Sequence, residues 1–413
     1  MRIDRLGSLG AAPSVLSTLA VATAERGLAP PAALIGDWFG SRAVIAPSVA
    51  VSAAPAAEAF DVSVGSRDDG PVGGGWFGYL SYPDPGADGC APRVPEAAGG
   101  WSDAVLRCAA DGTWWHESLS GAGISAWVAE ALEQSAAPRP AAVTWGDADR
   151  DTHQRGVHEC VDAIAAGEVY QACVCTQFPG TLHGEAVDFF VDAVARTAPA
   201  RAAYLAGSWG AVASLSPELF LRRCGETVTS SPIKGTVPRY ADPATLRASV
   251  KDVAENIMIV DLVRNDLGRV ARTGTVAVPE LLAVRPAPGV WHLVSTVSAQ
   301  VPVDVPNTAL LAATFPPASV TGTPKTRARE LLRQWEPHRR GVYCGTVGLA
   351  SPLAGCELNV AIRTVEFTAS GDAVLGVGGG ITADSDPLRE WEECLHKAAP
   401  IVGDHVRERS TAS

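Results

Sequence analysis

Hydrophobic positions along this chain follow two rhythms. Val157, Val161 and Ile164 share one helical face, and Gly167 stands where such a helix stops. The pattern then changes to that of a strand over residues 169–178. Further helices are expected over 244–265, 324–335 and 387–397. Strands are expected over 43–45, 76–82, 211–214, 220–223, 342–349, 357–367 and 373–377. In the helix over 244–265, Val253, Ile257, Val260, Val263 and Leu267 mark a buried stripe, and Glu255 lies off it beside Asn256. Gly74 and Gly75 lead into Trp76-Phe77-Gly78-Tyr79-Leu80-Ser81-Tyr82, an aromatic strand entered through glycines. Strands and helices mix without a regular βαβ alternation, so the fold class is α+β.

The stretch Ser135-Ala136-Ala137-Pro138-Arg139-Pro140 has the composition of a linker. It divides the chain into an N-terminal region, 1–140, and a larger unit, 145–405. The first region is rich in Ala, Gly and Pro and has no lysine, and no internal repeat runs through either part.

Composition narrows the class. The 413 residues are 47% hydrophobic and 19% charged, as in a globular protein. A net charge of −12 argues against nucleic acid as a partner, since phosphate contacts need concentrated Lys and Arg. No apolar run approaches the roughly 18–20 residues that cross a bilayer. Arg2 and Arg5 precede a mildly apolar stretch ending Ala22-Thr23-Ala24, outwardly like a signal peptide, but Gly7, Ser8, Gly10 and Pro13 dilute it. The nine cysteines are an odd number with no C-x-x-C pair, which fits a reduced, cytoplasmic protein. Cys173 and Cys175 are read as turned to opposite faces of their strand, excluding a metal shared between them.

Lysine is scarce: Lys234, Lys251, Lys325 and Lys397 are the only four among 33 basic residues. A chain this biased to arginine keeps lysine mainly where a primary amine or a compact charge is needed, although chance alone would explain Lys251. Five segments could carry chemistry. In the last helix Asp386 and Pro387 give a start signal, and Glu390, Glu393 and Lys397 share one face. Grouped carboxylates suit a hard divalent cation such as Mg²⁺, and Glu255 could complete the set; the plain alternative is a solvated face with Glu393 and Lys397 as an ordinary pair. Gly378-Gly379-Gly380 would let the backbone approach a ligand and offer N–H groups to an anion, and Thr321-Gly322-Thr323-Pro324-Lys325 opens a helix that could do the same; either could also be a plain turn. Ser216-Pro217-Glu218 and Pro232-Ile233-Lys234-Gly235-Thr236 supply an acid and an amine. An unperturbed lysine titrates near roughly 10.4, so its surroundings must lower that value before it attacks carbon. A buried Glu218–Lys234 ion pair is the competing reading.

Taken in order, these segments resemble the chorismate-utilising enzymes. The series runs Ile164-Ala165-Ala166-Gly167-Glu168-Val169-Tyr170-Gln171, Ser216-Pro217-Glu218, Pro232-Ile233-Lys234-Gly235-Thr236 and residues 254–266. It continues through His292-Leu293-Val294-Ser295, Ser319 to Lys325, Arg340-Gly341-Val342-Tyr343-Cys344-Gly345, Ile362-Arg363-Thr364, Gly378-Gly379-Gly380-Ile381 and residues 390–397. It spans essentially all of residues 150–402; the N-terminal region matches mainly over 76–82.

The resemblance implies an anthranilate synthase component I-like fold, with large β-sheets forming a sandwich core wrapped by helices. It implies Mg²⁺ on Glu255 and Glu393 with Glu390 close by. Tyr343, Arg363, Gly378, Gly379, Gly380 and Lys397 would hold the chorismate carboxylates, with Thr321 and Gly235 also lining the substrate. Lys234 and Glu218 would be catalytic, as nucleophile and acid, together with Gln171, Thr236 and His292. Isochorismate- and salicylate-forming members carry a lysine base where this chain has Gln171, which disfavours water as the nucleophile. Anthranilate-forming members usually have alanine where this chain has Lys234, and the Pro-Ile-Lys-Gly-Thr form looks like aminodeoxychorismate synthase component I, which aminates chorismate at C4 on the way to p-aminobenzoate and folate. Amination at C2 is the alternative. No G-x-C-x-G nucleophile turn is present, so ammonia would come from a separate glutamine amidotransferase subunit. Cys173 stands where the family more often has asparagine, and Pro317-Ala318 replaces Gly-Gly before Ser319, stiffening that loop.

Overall fold

The architecture, taken from a computed structural model, is described for residues 1–66, 70–134, 136–137 and 139–403. Ser135 and Pro138 of the expected linker lie outside the described residues, as do positions 404 and 405 of the expected larger unit.

Two antiparallel sheets, of twelve and ten strands, carry the fold. In the larger, Arg201–Gly207 pairs on one side with Ala32–Trp38 and on the other with Gly210–Ser216. Thr364–Thr368, Asp372–Ile381 and Gln171–His183 then follow in that order. In the smaller, Thr346–Ser351 pairs with Gly75–Leu80, which pairs in turn with Ala97–Ser102. In each sheet the strands from before the 140–145 division lie together on one side and those from after it on the other, so neither region owns a sheet of its own.

Side-chain alternation along these strands builds two apolar faces per sheet. Leu34, Val44, Leu205 and Val212 of the larger sheet meet Phe77, Tyr79, Val347 and Leu349 of the smaller one, which forms the filling of the sandwich. The other face of the larger sheet is covered by helices Ala12–Glu25, Ala126–Leu132, Ala186–Thr197 and Pro387–Val402. Val250–Gly268 and Asn307–Thr314 cover the smaller sheet. The signal-like stretch near the N-terminus is part of this covering, with Leu16 and Leu19 fully buried. The fold is α+β, a helix-wrapped sandwich, as the sequence implied.

Several elements differ from expectation for local reasons. The helix expected over 244–265 is two, Ala244–Ala248 and Val250–Gly268, because the Ser249 hydroxyl accepts the Asp252 N–H at 3.2 Å and caps a new start. The buried face of the second is broader than the expected stripe: Val260, Val263 and Leu267 are buried as expected, but Glu255, Asn256, Ile259 and Asp266 are buried too, while Ile257 is exposed. The strand expected over 357–367 is also two, Gly355–Asn359 in the smaller sheet and Thr364–Thr368 in the larger. Between them the chain crosses from one sheet to the other, and Arg363 takes a left-handed φ of 52° at the joint. Residues 342–345 form a turn before Thr346–Ser351 rather than part of the strand. The three glycines 378–380 are not a loop. They lie inside Asp372–Ile381, paired with Cys175, Val174 and Cys173.

Candidate active site

Three of the four lysines converge on three carboxylates where Val250–Gly268 and Pro387–Val402 meet the end of Asp372–Ile381. Each helix starts from a side-chain cap, Ser249 for the first and Asp386 for the second, whose carboxylate accepts the Arg389 N–H at 3.0 Å. Those caps set which face of each helix looks at the strand. Lys234 Nζ lies 3.6 Å from Glu255 Oε2. Lys251 Nζ donates to Glu390 Oε1 at 2.9 Å and lies 3.9 Å from Glu255 Oε1. Lys397 Nζ pairs with Glu393 Oε1 at 2.7 Å and donates to the Gly378 carbonyl at 2.7 Å.

The glycines make the floor of this cluster. A Cβ on Gly380 would fall 3.0 Å from Lys234 Nζ and 3.1 Å from Glu255 Oε2; one on Gly379 would fall 3.2 Å from Glu390 Oε2 and 3.8 Å from Glu393 Oε1. Their value is thus missing volume rather than free backbone amides, most of which the ladder occupies.

The charges shape the titration of each group. Burial, the largest single influence, pushes the Lys234 amine down, but Glu255, Cys173 and Glu218 together push harder the other way, and its pKa ends above the ordinary lysine value. Lys251 behaves alike, lowered by burial and raised on balance by its bond to Glu390 together with the charges of Glu390, Glu255 and Glu393. Burial raises the Glu255 carboxyl against the pull of Lys234 and Lys251. Glu218, 3% exposed, follows Ser216 between two strands. Burial pushes its carboxyl up to about 7, although Ser319, Lys234 and the Ile233 N–H each pull it down. At neutral pH it therefore carries its proton part of the time.

A second group flanks the first. Thr236 Oγ1 and His292 Nδ1 are 2.8 Å apart across paired strands. Burial, and then the nearby Arg363, push the imidazole down to about 4, so it is neutral at pH 7. Arg363 itself is half-buried, and no carboxylate or carbonyl pairs with it among the described residues. Such a guanidinium is ready to donate to a carboxylate. Gly235 has φ 86° and packs on Asp252, which only glycine does without strain. Tyr343 is buried over Gly376, where a Cβ would meet its ring, and its hydroxyl accepts from Cys175 Sγ at 3.8 Å.

Other expected residues stand apart. Thr321 is buried with its hydroxyl turned back to the Pro317 carbonyl at 3.0 Å. Gln171 is buried, and its Oε1 has no partner among the described residues. Lys325 is clamped by Asp266 at 2.5 Å and by the Thr314 and Pro316 carbonyls at 2.8 Å, a structural role rather than an anion site. Cys173 and Cys175 do not face opposite ways: side chains two apart on a strand share a face, and their sulfurs are 3.9 Å apart. A cavity of about 250 Å³ lined by Arg93, His153, Gln177, Arg340 and Tyr343 borders the same strand, but it includes none of the three lysine–carboxylate pairs. Lys251 is the member that the sequence left to chance; its i, i+4 spacing to Glu255 was the available signal.

Glu255, Glu390 and Glu393 offer the hard oxygen donors Mg²⁺ takes. Glu390 is 2% exposed, and its Oε2 lacks a partner among the described residues. Among the described residues, though, no three His, Cys, Asp or Glu side chains are arranged to hold a metal as they stand, because each carboxylate faces an amine.

A family profile described as chorismate binding enzyme matches residues 98–403. The chain belongs to that family. Aminodeoxychorismate synthase component 1 of Escherichia coli (strain K12) is 38% identical over 260 residues, 61% of this chain and 57% of that protein. The Salmonella typhimurium protein of the same name is 41% identical over 246 residues, 58% of this chain and 54% of its own length. A 2-amino-4-deoxychorismate synthase of Streptomyces globisporus is 38% identical over 265 residues, 62% of this chain and 53% of that protein. The chain thus spans between half and two thirds of the length of these relatives. Among solved structures, anthranilate synthase component I from Streptococcus pneumoniae TIGR4 superposes with a TM-score of 0.73 at 24% identity, covering 91% of each chain. At that identity the likeness establishes the fold. No helix among the described residues is long and apolar enough to cross a membrane.

Proposed function

We propose that this protein aminates chorismate at C4 with ammonia, giving 4-amino-4-deoxychorismate and water. The observation that carries the reading is Lys234, a buried amine on the glycine floor, beside a Glu218 that burial makes a proton donor near neutral pH. The relatives named aminodeoxychorismate synthase component 1 support it.

The Lys234 nitrogen adds to C2 of the ring, both conjugated double bonds shift by one position, and the 4-hydroxyl departs as water with a proton from Glu218. Ammonia then adds at C4, both double bonds shift back, and the C2–nitrogen bond breaks to release Lys234. With Glu255 opposite, Lys234 rests as an ammonium and must lose a proton before the first step. Arg363 and Lys397 are the cations for the two substrate carboxylates, which a chain of net charge −12 must supply locally. Neutral His292 and Thr236 line the ring as a hydrogen-bonded pair. Glu255 and Glu393, with Glu390, would hold Mg²⁺, which when bound neutralises the carboxylates and draws a substrate carboxylate to the site. Ammonia would come from a glutamine amidotransferase partner, and the cytoplasm is the expected compartment.

The name of the Streptomyces globisporus relative favours one second reading, amination at C2. Mass spectrometry and ultraviolet spectra of the product formed from chorismate, Mg²⁺ and ammonium separate the two. The C4 reading requires 4-amino-4-deoxychorismate from the wild type and none from Lys234→Ala. Anthranilate or a C2-aminated product from the wild type refutes it.

A further inference from the structure

We infer that Lys251 is a built-in competitor for the divalent cation: its ammonium stands between Glu255 and Glu390, where the metal has to go, and must swing out to admit it. The inference rests on the Mg²⁺ reading above and adds a residue that controls metal entry.

Glu255, Glu390 and Glu393 face Lys234, Lys251 and Lys397, three negative charges against three positive. A divalent cation added to that balance would leave two positive charges uncompensated in a partly buried site. Departure of one lysine halves the excess, and the two carboxylates of the substrate can meet what remains. Lys251 is the lysine built to leave. Its side chain is 42% exposed, against 14% for Lys234. It sits in the first turn of Val250–Gly268, beside the exposed Val250, with a flexible stem that reaches water. Its polar partners are the cluster's own carboxylates, whereas Lys397 is also tied to the Gly378 carbonyl. The group it would release is already aimed inward: buried Glu390 keeps Oε2 unpartnered, toward Gly379 and Glu393. This occupancy accounts for a set of suitable donors that forms no ready metal site.

The test is calorimetric titration of Mg²⁺, and separately Mn²⁺, into the full chain without chorismate. Wild type would be compared with Lys251→Met and Lys251→Arg, and melting curves would confirm that each variant is folded. Lys251→Gln replaces the methionine variant if that one fails to fold. Removing a competing charge a few ångströms away should tighten binding by about tenfold or more, while the arginine variant stays near wild type. Unchanged or weaker binding in the neutral variant, with the wild type binding metal, overturns the inference and makes Lys251 a support for Glu390. Absence of binding in every variant overturns the Mg²⁺ reading itself, and the inference with it.

Discussion

Glu218→Gln should remove one specific pH dependence of stability. The carboxyl is raised from 4.5 to about 7 by burial, so it holds its proton more tightly in the folded chain than in the unfolded one. Its contribution is fully present below the unfolded value and is lost as the pH rises through about 7. Two to three pKa units correspond to about 3 kcal/mol, and at 3% exposure little of that is screened by solvent. Glutamine keeps the neutral shape without the titration. Urea unfolding of both proteins at about pH 4 and about pH 8 isolates the effect, because other titrating groups cancel in the difference. The variant should match the wild type at the lower pH and exceed it by about 3 kcal/mol at the higher. A difference that stays constant across that window would refute the argument. Ammonium-dependent turnover of the same variant should fall by about a hundredfold or more, as befits a lost proton donor.

Two other perturbations separate site from scaffold. Gly380→Ala places a methyl about 3 Å from the Lys234 amine and the Glu255 carboxylate, in a strand whose φ is not left-handed there. The fold should hold to within about 1 kcal/mol in a melting curve while turnover drops at least about tenfold; equal activity would show that the floor need not be bare. Lys325→Met strips the partner from buried Asp266, and urea unfolding should show a loss of about 3 kcal/mol that shrinks at low pH as Asp266 takes up a proton.

How far the sequence announced this site depended on where the information was local. Glu390, Glu393 and Lys397 could be placed on one face because a capped helix with i, i+3 and i+7 spacing leaves little choice. That Glu255 meets them could not be read, because the contact joins helices more than a hundred residues apart. Lys251 was underweighted for the same reason: its partner Glu390 lies 139 positions away. The break at residues 360–363 was hidden because Val360, Ala361 and Ile362 prolong an apolar run, although the chain is changing sheets there. The buried face of Val250–Gly268 is only partly legible because Asn256 and Asp266 are polar yet buried, with Leu293, Ser295 and Lys325 satisfying them. Hydrophobic periodicity cannot reveal a polar group whose partner is supplied by a distant strand.

The joining of a block of early strands to a block of late ones within each sheet also governs the order in which the molecule can be built. Ser351 donates to the Val72 carbonyl from 279 positions further along, and Gly75–Leu80 finds one of its two neighbours only in Thr346–Ser351. During synthesis at about 5–20 residues per second, the first third of the chain waits on the order of tens of seconds for those neighbours to emerge. Until then it presents an open apolar edge, and contacts this long in range close slowly. Refolding from denaturant should accordingly be slow and sensitive to protein concentration, and the catalytic half cannot mature ahead of strands made long before it.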